Sequence, residues 1–403
     1  MTAILVSHPH VAAVSVGVAA ALEEQGLLAA YTTGIAIGSD SRLTGAAARL
    51  AQARPVVRNR LLAGIPAERV RAHPVIEGAI RLAARAARSS GLPFNLYDAL
   101  FTSHDLTVAL SPWPRGTTGV YAYEDGALRT FQRARRMDAA RIWDLPIPHR
   151  RFVEQMFAGE SIRWPGAMVG PPHREPPWKT RRKDAELALA TRVVVASSFT
   201  RTSLEAIGCE PPISVAPYGF PIELFAARRS APTGPFRVLA VGNHDVRKGT
   251  PYLLEAWKAA NLKDAELHLI GPLRLSKTFI GAYDGMFKHT PHVARGNLGA
   301  HYAEADLVAF PTLADGFGLV IQEAMCSGTP VLTTPCGGGP ECITDGVDGW
   351  IVPPRDIDAL VARLREAAAN RDRLYAMGQA ARRRAEGFTW REAGRGLIAA
   401  LGL

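Results

Sequence analysis

The chain has 403 residues, 47% of them hydrophobic and 21% charged, with a formal charge of +10. That size and balance describe about two globular domains and exclude a disordered chain. No apolar run reaches the roughly 18 residues a membrane-spanning helix needs.

Met1–Val6 opens directly into a strand, Ala3–Ser7, with no basic segment or cleavage site, which argues against export. Cys209, Cys326, Cys336 and Cys342 lack paired spacing and read as reduced thiols of a cytoplasmic protein. The loop SHPHVAAV, carrying His8 and His10, leads to a helix over Val14–Gln25, and Leu27–Thr33 reads as the second strand. Strand, loop and helix in that order open a doubly wound domain, with ligand expected beyond the strand's carboxyl end. Between Ser41 and Gly91, Arg42, Arg49, Arg54, Arg58, Arg60, Arg69, Arg71, Arg81, Arg85 and Arg88 face only Glu68 and Glu77. This basic stretch fits arginines on solvated helix faces, or a face that docks on anionic lipid headgroups or a phosphorylated acceptor. No basic run interleaved with aromatics points to nucleic acid.

Leu106–Leu110 and Gly119–Ala122 read as strands, Ala127–Met137 as a helix, and Ala140–Leu145 as a strand ending in Pro-Ile-Pro-His149. Trp164–Trp178 is proline-rich and aperiodic, hence a loop. Asp184–Thr191 is helical, Val193–Ala196 a strand, SSFTRTSLEAIG a helix opening on a serine cap, and Ile213–Ala216 a strand. Tyr218-Gly219 and APTGP at Ala231–Pro235 bracket a linker. Beyond it come a strand over Arg237–Val241, the loop GNHDVRKG, a helix over Pro251–Ala260 and a strand over Glu266–Ile270. Leu307–Phe310 suits a buried parallel strand, and Leu319–Ser327 has helical spacing closed by Gly328 and Pro330. A helix starting at Gly316–Gly318 would aim free backbone N–H groups into the crevice, where a phosphate binds. Asp356–Ala369 and Trp390–Leu401 are the last helices. Asp356 and Asp358 have Asp-x-Asp spacing but open a helix after two prolines, so they read as capping acids and imply no metal. No Gly-x-Ser-x-Gly elbow suggests a hydrolase.

Asp315 followed by seven residues and Glu323, within DGFGLVIQEAMCSGTPVLTT, resembles the acidic pair of the retaining glycosyltransferases of family 4, or glycosyl transferases group 1, which usually carry Glu at both ends. RVLAVGNHDVRKGTPYLLEAWKAANLKDAELHLIGP, Arg237–Pro272, is similar to that family's first strand, phosphate loop and helix, and HYAEADLVAFP fits its order. The resemblance is specific from Arg237 to about Arg355.

It implies an α/β fold of GT-B type, two doubly wound Rossmann-like parallel-sheet domains facing across a cleft. Residues 1–218 would form the acceptor domain, 219–235 the linker, 236–385 the nucleotide-sugar domain, and 386–403 a helix packing back on the first domain. The implied activity is transfer of a sugar from a nucleotide-diphosphate-sugar donor to a glycan or lipid-linked acceptor, with retention at the anomeric carbon and no metal or other cofactor. The setting would be cell-surface polysaccharide or glycolipid synthesis, in the cytoplasm or peripheral at the inner face of the membrane. By the same resemblance Lys248 contacts the donor's phosphates, aided by Arg247 or the backbone of Gly316, Phe317, Gly318 and Leu319. Glu323 holds the ribose hydroxyls and Asp315 lies near the donor sugar. Asn243 stands where the family often has arginine. His149 takes the place of a histidine near the reaction centre, with His104 as its rival. Two other classes stay open: a GT-B nucleotide-sugar epimerase or phosphorylase, and a non-catalytic nucleotide-sugar or glycan binder.

Overall fold

A computed structural model describes residues 2–39, 60, 62, 64–90, 95–170, 175–228, 230–231 and 233–403. Arg42, Arg49, Arg54 and Arg58 fall outside them. The N-terminal sheet has seven strands in the order β3-β2-β1-β4-β5-β6-β7. These are β1 (Ile4–Ser7), β2 (Leu28–Thr33), β3 (Val70–Ala72), β4 (Gly119–Tyr123), β5 (Ala140–Leu145), β6 (Arg192–Val195) and β7 (Ile213–Val215). The second sheet has six, in the order β10-β9-β8-β11-β12-β13: β8 (Phe236–Val241), β9 (Ala265–Ile270), β10 (Lys288–Thr290), β11 (Leu307–Phe310), β12 (Val331–Thr333) and β13 (Gly349–Ile351). Every pairing among these strands is parallel.

Parallel strands covered by helices on both faces must be apolar throughout, and β1, β2, β4 and β11 are buried along their whole length. Each sheet reverses its strand order once, at β1/β4 and at β8/β11. The crevice beyond the carboxyl ends at such a reversal is where open α/β sheets bind ligands. This is the GT-B architecture the sequence implies.

Local readings fail in three places. Leu106–Leu110 is not a strand but the end of a helix over Leu96–Leu110. Asn95 caps that helix, accepting from the N–H of Asp98, and buried Leu100, Phe101, His104 and Val108 recur at helical spacing. The core contact of that face outweighs the strand preference of Thr-Val-Ala-Leu. The helix at Asp184 begins earlier, at Pro177, and ends at Leu189, which shortens the preceding loop. The sequence reading also omits a helix over Arg371–Ala385, whose buried face is Leu374, Met377, Gly378, Ala381 and Ala385. At Gly378 a Cβ would stand 2.2 Å from the carbonyl oxygen of Gly328, so only glycine lets this helix approach.

The two sheets are tied by chain crossings and by a strut. The segment after β7 and the segment before the last helix, Trp390–Leu401, run side by side. The N–H of Phe220 donates to the carbonyl of Phe388 (2.6 Å), and a Cβ at Gly219 would stand 2.5 Å from the Cα of Trp390. The last helix then packs on the helix Ala13–Glu24, where Gly17 leaves room for the Trp390 ring and Gly394 for Ala21. The strut is the helix Arg150–Arg163, which follows β5 in the chain but buries Met156 in the core of the second sheet. Its Glu160, 1% exposed, accepts from Tyr252 Oη and from Arg355 Nε, both at 2.5 Å. Just beyond it Ala167 packs on Val246 and Leu275, and its carbonyl accepts from the N–H of Ser276 (2.8 Å).

Candidate active site

The loop after β8 is shaped by glycines at positive φ. Gly242 turns the chain out of the strand, and Gly249 (φ 71°) lets it pass the carbonyl of Pro311, which a Cβ would approach to 1.8 Å. Asp245 Oδ1 accepts from the N–H of Lys248 (2.8 Å), which fixes the lysine's direction. The ammonium of Lys248 pairs with Asp315 Oδ2 and lies 4.8 Å over the Phe310 ring. Arg247, by contrast, turns inward. Its Nη1 donates to the carbonyl of Ala314 (2.7 Å) and its own carbonyl accepts from the N–H of Leu313 (2.8 Å), so it braces the loop that carries Asp315. Asn243 is exposed.

Asp315 is held from the other direction: its N–H donates to the carbonyl of Cys336 (2.9 Å). The Gly337–Gly339 run packs beneath this loop, and a Cβ at Gly338 would stand 2.5 Å from the Phe317 ring. Phe317 itself is buried in the core, so only its backbone faces the crevice. Gly318 (φ 84°) caps the helix Leu319–Cys326 without a side-chain acceptor. The N–H of Ile321 turns back to the Gly318 carbonyl (2.9 Å), and the positive end of the helix lies at the loop that carries Asp315. Glu323, one turn further along, is buried and accepts from Tyr302 Oη (2.7 Å). Lys248 and Asp315 pair in the loops that follow β8 and β11, and Glu323 lies one turn into the helix that follows Asp315. Such a set suits a ligand with both phosphates and hydroxyls.

The opposite wall comes from the first sheet, and the two walls touch. A Cβ at Gly316 would lie 1.8 Å from the carbonyl of Pro146, in the segment between β5 and His149. The carbonyl of Gly316 accepts from Ser197 Oγ (2.6 Å) and Thr200 Oγ1 (3.2 Å). Glu341 accepts from the N–H of Ser198 (2.6 Å). His149 begins the strut helix. Its Nδ1 accepts from the N–H of Arg151 (3.4 Å) and its backbone N–H donates to Ser203 Oγ (2.9 Å). Burial, with Arg150 and Arg151 beside it, lowers its pKa to about 4, so it is neutral near pH 7. His104 is placed elsewhere, under β1 and 3.3 Å from Ser7 Oγ, with its pKa held well below the usual value by burial. His8, at the end of β1, is buried against Phe101 and Tyr123, and burial lowers its pKa to about 3. Asp356 accepts from the N–H of Ala359 (2.8 Å) and caps its helix, as read from sequence.

Several residues of this region were not singled out from sequence. Ser197 and Thr200 were read only as part of a helix start, although their hydroxyls also hold Gly316. Asp144, next to last in β5, has its carboxylate accepting from Tyr121 Oη (2.5 Å) and Tyr218 Oη (3.5 Å). Tyr218 lies against Phe317 and its carbonyl accepts from Gln322 Nε2 (2.8 Å), so Asp144 is linked to the glycine loop through one tyrosine. A lone acid at the carboxyl end of an apolar strand was the available signal.

A family model described as Glycosyl transferases group 1 matches residues 235–370, the stretch that carries Lys248, Asp315 and Glu323. The match covers this second domain and leaves the first outside it. Among curated proteins, the D-inositol 3-phosphate glycosyltransferase of Arthrobacter sp. (strain FB24) is 28% identical over 63% of this chain and 64% of its own length. The MMP alpha-(1->4)-mannosyltransferase of Mycolicibacterium hassiacum is 33% identical over 44% of this chain and 45% of its own. The chain thus spans less than two thirds of the length of these relatives. Among solved structures, sucrose-phosphate synthase from Thermosynechococcus elongatus superposes over 100% of this chain and 98% of its own (TM-score 0.63, 17% identity). Anabaena HepE in complex with UDP and glucose covers 100% of both chains (TM-score 0.62, 16% identity). At these identities the structures establish the shared GT-B fold.

Proposed function

We propose that this chain is a retaining glycosyltransferase that moves a sugar from a nucleotide-diphosphate-sugar donor to a glycan or lipid-linked acceptor, without a metal. The observation that carries this reading is the Lys248–Asp315 pair just ahead of the helix Leu319–Cys326, which carries Glu323, in the domain matched by the group 1 model. Lys248 and the helix start neutralise the leaving diphosphate, the task a metal performs in other transferases. To do so the lysine exchanges its Asp315 contact for the phosphate, which leaves the Asp315 carboxylate for donor-sugar hydroxyls. Glu323 takes the ribose. Retention rests on the resemblance of residues 235–370 to group 1. HepE, solved with UDP and glucose, makes a uridine diphosphate sugar the first donor to test. His149 lies on the acceptor wall beside the Pro146–Gly316 contact and stays neutral, fit to accept a hydrogen bond from a sugar hydroxyl.

The test is donor binding and transfer or slow donor hydrolysis, measured with and without EDTA for the wild type, Lys248→Ala and Glu323→Ala. Each lost charge-assisted contact is expected to weaken donor binding roughly tenfold to a hundredfold. Unchanged affinity and turnover in both variants refutes the site. Activity abolished by EDTA refutes metal independence.

A further inference from the structure

The helix Pro74–Ser89 leaves the carboxyl edge of the first sheet directly after β3, and of its 16 residues only Glu77 is buried. Its base is firmly held: the Glu77 carboxylate takes Arg60 Nη2 (2.6 Å), Arg81 Nη2 (2.6 Å) and the backbone N–H of Ile35 (2.6 Å). Its half-buried inner face is Ile76, Ile80, Ala84 and Ala87, spaced four, four and three. The outer face is also apolar. Val75, Ala79, Leu82, Ala83 and Ala86 recur at helical spacing and are all exposed, Val75 at 80% and Leu82 at 70%. Water is a poor solvent for such a face. Along one flank runs a row of exposed arginines, Arg81, Arg85 and Arg88, spaced four and three.

An apolar ridge edged by arginines on a rooted, otherwise solvated helix matches one kind of surface, anionic at its rim and apolar beneath. We propose that the helix Pro74–Ser89 docks on an anionic lipid bilayer, with Val75 and Leu82 entering the acyl boundary and Arg85 and Arg88 reaching the headgroups. A second copy of the chain fits less well, because two such faces packed together would bring their arginine rows close. The proposal adds a partner to the transferase reading and rests on it only for the consequence. The helix starts at His73, whose Nε2 lies 3.2 Å from Thr32 Oγ1 at the end of β2. Docking therefore brings the acceptor wall to the bilayer, where a lipid-linked acceptor is presented.

The experiment is flotation of the full chain with vesicles of phosphatidylcholine alone or with about one third phosphatidylglycerol. Wild type, Val75→Gln/Leu82→Gln and Arg85→Gln/Arg88→Gln are compared. The expected result is flotation only with anionic vesicles, lost when salt is raised to about 0.5 M. The arginine pair should weaken binding by about fivefold per arginine, the apolar pair should abolish flotation, and both variants should melt like wild type. No flotation with anionic vesicles at low salt overturns the proposal, as does flotation that both variants retain. A dimer in sedimentation that Val75→Gln/Leu82→Gln abolishes, without flotation, overturns it and gives the face to a second copy. Donor hydrolysis in vesicle-free buffer should be unchanged in both variants. Its absence from the wild type would refute the transferase reading while leaving the docking result standing.

Discussion

Replacing Glu160 by alanine tests whether the strut helix fastens the two halves of the molecule. Glu160 is 1% exposed and accepts two hydrogen bonds, from Tyr252, which is itself buried, and from Arg355, whose side chain is 36% exposed. Removing the carboxylate leaves the Tyr252 hydroxyl without its acceptor, a loss of about 1–3 kcal/mol. Arg355 can rehydrate, so its share is at most about 1 kcal/mol. The sum is about 1–4 kcal/mol. With an unfolding entropy of about 2.1 cal/mol/K per residue, 3 kcal/mol lowers the midpoint of a 400-residue cooperative unit by about 3–4 °C. Calorimetry and urea titration measure it. Because the helix joins both cores, the variant should also split one transition into two, with the second sheet's core melting first. Tyr252→Phe keeps the Arg355 contact and should cost only about 1 kcal/mol. A change under 0.5 kcal/mol for Glu160→Ala, with the transition unsplit, would refute the reasoning.

Gly316→Ala should force the walls apart, because its Cβ would lie 1.8 Å from the Pro146 carbonyl. Transfer should fall more than tenfold while donor affinity, measured by titration, stays within about threefold; equal activity would show the contact to be incidental. Burial pushes Asp144 up to about 7, so the folded protein holds this proton more tightly than the unfolded chain. Its contribution is present below about pH 4 and is lost as pH rises to 7. Asp144→Asn should therefore be more stable than wild type by on the order of 2–4 kcal/mol at pH 8 and indistinguishable at pH 4, read from urea curves at both pH values. His149 is depressed to about 4, so its contribution is present above about pH 6.5 and is lost as pH falls towards 4. His149→Asn, which can still cap the helix, should flatten that acid limb and cut transfer about a hundredfold with donor affinity unchanged; a variant as active as wild type removes His149 from the site.

What could be read from sequence was local. The candidate residues of the second domain could be picked out because they lie in two short strand, loop and helix units, one after β8 and one after β11: glycines needed for turns, a lysine fixed by its own loop, and an acid ahead of a helix with another one turn inside it. The other wall could not. Ser197 holds Gly316 from 119 residues away, and Arg355 reaches Glu160 across 195. Serine, threonine and glutamate at those positions look like ordinary caps and helix acids until the fold brings the partner. The same limit explains Arg247. Beside Lys248 it looks like a second phosphate ligand, and only the position of the Ala314 carbonyl shows that it braces the loop. The strand misread at Leu106–Leu110 failed for a related reason, since a short apolar run alone suits a strand and the helix was decided by a cap at Asn95 and a core face further back.

The side-by-side crossings at Gly219 and Trp390 make a door hung on one edge. With both chain crossings at the same place, that edge is the hung one, and the strut helix and the Pro146–Gly316 contact hold the rest of the leaf shut. The Pro146–Gly316 contact then acts as the catch, and Ser197 and Thr200 as its keeper. A methyl group inserted between the hinge leaves at Gly219 would hold the door ajar and silence the catch without touching any residue that meets the donor.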